Sequence, residues 1–179
     1  MLFQNYKTEI VPELQKKLNI KNLLALPRVV KVVINMRISE AKEDKQVIDE
    51  ATEELKLISG QRPVVCRARK SVSGFKLRKG DPIGLKVTLR GKKMYDFLEK
   101  LFFLVLPLLR DFKGLSLRQF DHNGNFNIGL EDQTVFPEIN LDKVKKTRGL
   151  QITIVTSTKK KSEAESLLKV LGLPFVRQK

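Results

Sequence analysis

Twelve of the 35 lysines and arginines fall between Lys56 and Tyr95, where Asp81 is the single acid, so this stretch carries +11 of the chain's formal +15. Cations at this density do one kind of chemistry well: they neutralise a polyanion such as a nucleic-acid backbone. The other 23 basic and 19 acidic residues net only +4 and read as an ordinary soluble surface. Groups for covalent chemistry are sparse by comparison. His122 lies in FDHNGNF, whose Asn123-Gly124 pair signals a hairpin turn, and is read as a turn residue rather than a general base. Glu131 and Asp132 are adjacent, which on a strand sends them to opposite faces and makes no paired-carboxylate site. One cysteine, Cys66, and one histidine build neither an internal disulfide nor a Cys/His zinc site. LRGKKMY has the GK of a phosphate loop, yet Lys86 stands where its first glycine belongs and Lys93 where its Ser or Thr belongs. What survives there is a helix N-terminus flanked by Lys92 and Lys93, a phosphate contact without nucleotide chemistry. No catalytic residue, metal or cofactor is assigned, and neither a KH-type GxxG clamp nor an aromatic RNP submotif is present.

The elements that must position the cations follow from periodicity. Phe3, Tyr6, Ile10, Leu14 and Leu18 recur at helical spacing, with Pro12 expected to kink or split that helix. RVVKVVINMR, from Arg28 to Arg37, is dense in β-branched residues and reads as a strand. A second helix runs through Val47, Ala51, Leu55 and Ile58 and stops at Gly60. PVVCRAR and IGLKVTLR alternate as strands, and Gly91 opens a helix that buries Met94, Phe97, Leu98, Leu101 and Phe102 until Pro107. Further strands are expected over Phe126 to Leu130 and Leu150 to Thr156, then a final helix from Ser162 to Leu171, begun by a capping box of Ser162 and Glu165.

Side chains alternate along a strand, so each strand can be sorted by face. Lys31, Val33, Asn35 and Arg37 oppose Val32, Ile34 and Met36; Lys86, Thr88 and Arg90 oppose Leu85, Val87 and Leu89; Arg67 and Arg69 oppose Cys66 and Ala68, which turns Cys66 to the core. A sheet with one apolar and one basic side is covered on one face only. The fold class is therefore α+β: two layers, a mostly antiparallel sheet with helices on one face, and a long basic loop. The chain is read as one RNA-binding domain over 1–179, with the loop protruding at about 69–84. A single such strand is better explained as a solvated face; three strands in agreement favour RNA, where Lys and Arg meet phosphate and Asn, Gln and Thr meet 2′-hydroxyls.

The loop adds Arg69, Lys70, Lys76, Arg78 and Lys79 with one aromatic, Phe75. Its bland reading is a mobile solvated arm; its functional reading is a probe into nucleic-acid backbone. Docking on the protein is favoured for Phe75 over base stacking, because stacking surfaces present several aromatics. A second cluster, Lys143, Lys145, Lys146 and Arg148, is a candidate extension of the footprint, whereas Lys159 to Lys161 read as a solvated turn. The longest apolar run, Leu101 to Leu109, holds nine residues and Pro107 against about 20 for a bilayer span. The N-terminus MLFQNYKTEI has no apolar core of the kind that marks a signal or transit peptide, so the expectation is a reducing, intracellular protein that is not held in a membrane.

VVINM, ELKLISGQRPVV, KSVSGFKLRKGDPIGLKVTLRGKKMYDFL, FDHNGNF, VFPEI and RGLQITIVT together resemble the bacterial-type large-subunit ribosomal protein number five family, in order and over nearly the whole chain. The resemblance implies a structural constituent of the large ribosomal subunit that binds 5S rRNA and anchors it in the central protuberance, in the bacterial cytoplasm or a plastid stroma. It implies hydrogen bonds to 5S rRNA from Asn35, Gln61 and Thr88, around which the basic face and its flanks add Arg37, Arg62, Arg67, Arg69, Lys86, Arg90 and Lys92 as candidate 5S rRNA contacts. It implies a loop facing peptidyl-site tRNA through Lys70, Ser71, Ser73, Phe75, Lys76, Arg78 and Lys79. The region from about Leu108 to Lys146 would face a small-subunit head protein across a bridge, with large-subunit rRNA and neighbouring ribosomal proteins as further partners. The chain departs from the family pattern in NMRISEA, where Arg37 and Ser39 replace glycines, at Cys66, where Thr is frequent, and at His122-Asn123, which replaces a Gly-Arg turn. The competing class is an RNA-modifying enzyme acting on structured RNA, for which no nucleophile or cofactor loop is found. A basic protein on anionic membrane lacks the required amphipathic helix.

Overall fold

The computed structural model describes residues 2–38, 45–109 and 112–176. Five strands, β1 Val29–Arg37, β2 Val64–Arg67, β3 Pro82–Leu89, β4 Phe126–Leu130 and β5 Leu150–Thr156, form an antiparallel sheet in the order β2-β3-β1-β5-β4. Helices pack on it, giving the α+β class expected from alternation. Val32, Ile34 and Met36 of β1, Leu85, Val87 and Leu89 of β3, and Ile152 and Ile154 of β5 are buried at 2% exposure or less. β1, β3 and β5 thus bury one parity more deeply than the other, the pattern of a sheet covered on one side.

Contacts divide the chain into two compact units. The first comprises Met1–Val32, Arg90–Ile128 and Thr153–Lys179. Within it, α1 Leu2–Asn5 passes through a π-helical turn, Tyr6–Ile10, into α2 Val11–Leu18, and Pro12 lies in the first turn of α2. Proline has no amide hydrogen to donate back to the preceding turn, which widens there instead of breaking. α4 Gly91–Lys100 likewise runs through a π turn, Leu101–Val105, into the short α5 Leu106–Leu108, and buries Met94, Phe97, Leu98, Leu101 and Phe102 as its spacing requires. Gly91 starts it with φ +58°, a left-handed conformation that favours glycine. α1 packs on α4, and α2 on α6 Lys161–Val170.

The start of α6 corrects one expectation. Ser162 lies inside the helix and makes no capping bond. The helix has no side-chain cap; instead Thr158 braces the turn before it, its hydroxyl accepting from the Lys160 amide at 3.1 Å and donating to Glu163 Oε2 at 2.6 Å. That bond, with Lys160 Nζ at 3.0 Å, holds the Glu163 carboxyl below its usual range.

The second unit comprises Val33–Leu89 and Gly129–Ile152. α3 Lys45–Ser59 packs on β3 and buries Ala51, Leu55 and Ile58, and Gly60, at φ +65°, ends it by donating its amide to the Lys56 carbonyl at 2.8 Å. Arg148, read from sequence as part of a basic footprint, is buried instead. Its guanidinium meets Glu54 Oε2 at 3.1 Å and its amide donates to Gln133 Oε1, whose own Nε2 reaches the Lys146 carbonyl at 2.8 Å. Burial pushes the Glu54 carboxyl up and the Arg148 charge pulls it back only in part. A cation enclosed in this way is a packing element and is withdrawn from the candidate interface.

Candidate nucleic-acid interface

The polar side of β1 and β3 is built by what lies behind it. Because Ile34, Met36, Leu85, Val87 and Leu89 are drawn into the core, Asn35, Arg37, Lys86 and Thr88 are turned out, Arg37 and Lys86 exposed and the other two half-buried. Gly84 sets how closely these strands meet. A Cβ there would lie 2.5 Å from the Met36 carbonyl oxygen and 3.3 Å from the Arg37 Cα. Both are backbone atoms with nowhere to go, so Gly84→Ala is expected to lower stability by about 1–3 kcal/mol in thermal melting.

Gln61 follows α3 and points its side chain across the same region. Ser59 Oγ lies 2.6 and 2.9 Å from the Leu55 and Gln61 carbonyls, and Gln61 Nε2 then donates to the Thr88 carbonyl at 3.3 Å. One amide group is thereby held beside Thr88 with its Oε1 still to offer. Arg62 is exposed next to it. Arg90 and Lys92, at and beyond the end of β3, are exposed, and Arg90 Nη1 donates to the Val30 carbonyl at 3.4 Å.

β2 does not follow the simple alternation. Val64 pairs with Lys86, Val65 with Leu85 and Cys66 with Gly84, and cross-strand partners share a face. Val64, 68% exposed, and the half-buried Cys66 are therefore on the Lys86 side, and the core-facing placement of Cys66 is wrong. Between Cys66 and Arg67 the register shifts, Arg67 opposes Pro82, and its Nη1 bonds the Gly80 carbonyl at 3.1 Å. The irregularity turns Arg67 out although it follows Cys66. Arg69 is exposed past the strand's end.

The segment beyond β2 is folded back on itself. Val72 and Leu77 exchange amide bonds at 2.9 and 3.1 Å around a 3₁₀ turn, Ser73–Phe75, and Lys76 takes a left-handed φ of +50°. Lys79 N donates to Ser71 Oγ at 3.0 Å, Arg78 N to Asp81 Oδ2 at 2.9 Å, and Gly80 and Ala68 extend the ladder. The only acid of the basic stretch is thus spent on shaping its own turn. Phe75 is 73% exposed at the tip, so the expected docking of its ring on the protein is not what the structure shows. Lys70, Ser71, Ser73, Lys76, Arg78 and Lys79 are exposed around it.

Arg37, Arg62, Arg67, Arg69, Lys86, Arg90 and Lys92 enter none of the ion pairs formed among the described residues. Their charge is left to act outward. Ser39, the second departure in NMRISEA, lies outside the described residues. His122 is exposed in its turn, and Asp121 shapes that turn: although burial raises its carboxyl, hydrogen bonds from the Asn125 side chain and the Asn125 and Asn123 amides hold it below its usual range. Glu131 and Asp132 fall just past β4, where Asp132 Oδ1 accepts the Thr134 amide at 2.7 Å. Among the described residues no group of three or more His, Cys, Asp and Glu side chains is placed to hold a metal, and no helix is long and apolar enough to cross a membrane.

Residues 22–78 match the family model described as Ribosomal protein L5, and residues 82–175 match the model of the same ribosomal family's C-terminus. The chain belongs to the ribosomal protein L5 family. Proteins named Large ribosomal subunit protein uL5 are similar end to end: that of Halothermothrix orenii (strain H 168 / OCM 544 / DSM 9562) is 53% identical over 175 residues, and that of Thermoanaerobacter sp. (strain X514) 48% identical over 176, each match covering 98% of both chains. That of Geobacter sp. (strain M21) is 51% identical over 174 residues, 97% of each chain. As a bacterial-type member of the L5 family, the chain is a structural ribosomal protein of the large subunit, working on the ribosome in the cytoplasm, and not an enzyme. The RNA-modifying alternative is set aside.

Proposed function

We propose that the chain anchors 5S rRNA in the central protuberance through the wet side of β1 and β3, with Asn35, Gln61 and Thr88 as hydrogen-bonding groups. Arg37, Arg62, Arg67, Arg69, Lys86, Arg90 and Lys92 supply charge around them. One observation carries this: Lys86 and Thr88 stand on the wet side of a strand whose other side, Leu85, Val87 and Leu89, is sealed. Duplex RNA offers a shallow groove of hydroxyls and phosphates that such a flat, mixed surface fits. The loop at 69–84, with Phe75 and its cations at the tip, is proposed to reach peptidyl-site tRNA, and the region from about Leu108 to Lys146 to face a small-subunit head protein. His122-Asn123 brings no fixed cation to that bridge.

The test compares variants in a 5S rRNA gel shift and in thermal melting. Asn35→Ala and Thr88→Ala are each expected to weaken binding about tenfold, the worth of one well-placed hydrogen bond, with melting nearly unchanged. Val87→Ala is expected to lose roughly 2 kcal/mol of stability. Arg78→Glu with Lys79→Glu should spare 5S affinity. A melting loss for Thr88→Ala as large as that for Val87→Ala would show the faces reversed, and equal loss of 5S affinity in the loop variant would place the loop on the wrong partner.

A further inference from the structure

Ser59 is a buried hydroxyl that the RNA-binding surface does not use directly. It is 6% exposed at the last position of α3, too enclosed to touch a nucleic acid itself. A hydroxyl is costly to bury unless it is hydrogen-bonded, and the partners of this one are specific. Its proton lies between the Leu55 carbonyl at 2.6 Å and the Gln61 carbonyl at 2.9 Å, and its oxygen accepts the Gln61 amide at 3.3 Å. Ser59 therefore grips both backbone polar groups of Gln61 and ties them to the end of the helix. Fixing that backbone fixes where the Gln61 side chain starts, and Nε2 then reaches the Thr88 carbonyl at 3.3 Å. A carbonyl only accepts, so the amide is set one way round, nitrogen to Thr88 and oxygen away from it. Gln61 Oε1 takes no hydrogen bond among the described residues and is not enclosed.

We infer that Ser59 is the positioning residue for the Gln61 contact, holding that side chain so that it presents a carbonyl acceptor to the RNA, an inference that rests on the 5S rRNA reading above. The orientation decides what the contact recognises. An acceptor pairs with a 2′-hydroxyl or an exocyclic amino group and repels a phosphate oxygen, so Gln61 adds recognition where the surrounding cations add only charge. Without the Ser59 hydroxyl, the Gln61 backbone loses its tether and its side chain must be ordered at the moment of binding, which lowers affinity although no group that meets the RNA has been removed.

The experiment compares 5S rRNA gel shifts of the full chain carrying Ser59→Ala, Gln61→Ala or both, and follows the Gln61 side-chain amide of the free, isotope-labelled chain by NMR. Gln61→Ala is expected to weaken binding about tenfold, Ser59→Ala about fivefold, and the double variant no more than Gln61→Ala alone, because without the amide Ser59 has nothing to position. Ser59→Thr restores the hydroxyl and is expected to bind like the wild type. In the free chain the Gln61 side-chain amide protons should move toward the shifts of a solvent-exposed glutamine in Ser59→Ala and stay in place in Ser59→Thr. Should Ser59→Ala fail to fold, Ser59→Cys, close in size but a weaker donor, carries the same comparison. Wild-type affinity in Ser59→Ala while Gln61→Ala is weakened would overturn this inference and leave the 5S reading standing. Losses that multiply in the double variant would make Ser59 a packing residue and overturn it as well. Gln61→Ala without effect would remove Gln61 from the contact set and this inference with it, while Asn35→Ala and Thr88→Ala still report on the surface as a whole.

Discussion

Raising salt from 50 to 200 mM is expected to weaken binding of the isolated chain to 5S rRNA about a thousandfold, measured as a filter-binding series. Each phosphate neutralised releases a condensed counterion, so log affinity falls linearly with log salt, and about six to ten such contacts give a loss of roughly 10³–10⁵ over this range. Seven arginines and lysines of the proposed contact set lack an ion-pair partner among the described residues, enough to supply a slope of this order. Lys86→Ala should reduce the slope by about one contact. A flat response would mean that hydrogen bonds from Asn35, Gln61 and Thr88 dominate and that charge only steers.

The second large effect is on stability. Arg148→Ala is expected to lose about 3 kcal/mol or somewhat more, because it leaves the partly buried Glu54 without its counter-charge. For a chain of this length that is at least roughly 6 °C in melting temperature. Arg148→Met combined with Glu54→Leu should recover most of the loss, since a well-packed apolar pair needs no desolvated charge. If the single variant melts like the wild type, the pair is open to water and the assignment of Arg148 to the interior fails.

Where a strand is long and its two parities differ sharply in polarity, as in β1 and β3, the sheet side was readable from the residues alone. β2 was not, because VVCR offers four residues with no strong contrast, and its orientation is decided by pairing with β3 and a register shift that no local pattern encodes. Arg148 misled for a related reason. A run of cations reveals its charge but not Glu54, a partner 94 positions away. The SEAE pattern pointed to a cap at Ser162, but the helix already begins at Lys161, so Ser162 falls inside it and Thr158 braces the preceding turn. Phe75 was placed by counting aromatics, whereas its exposure follows from the tight Val72 to Leu77 closure, which leaves the ring no surface to lie on. Family resemblance supplied Gln61, whose proposed role no periodicity announces.

The closure between Val72 and Leu77 has a kinetic consequence. A coil of that length must surrender its conformational freedom when it is captured, which costs affinity and slows productive encounter. Here the backbone is already closed on itself and Phe75 is exposed at its tip, so the proposed contact with a polyanion would start from a preformed turn with its ring presented. Loosening that closure, for example with Val72→Gly, would lengthen the search without removing a single positive charge.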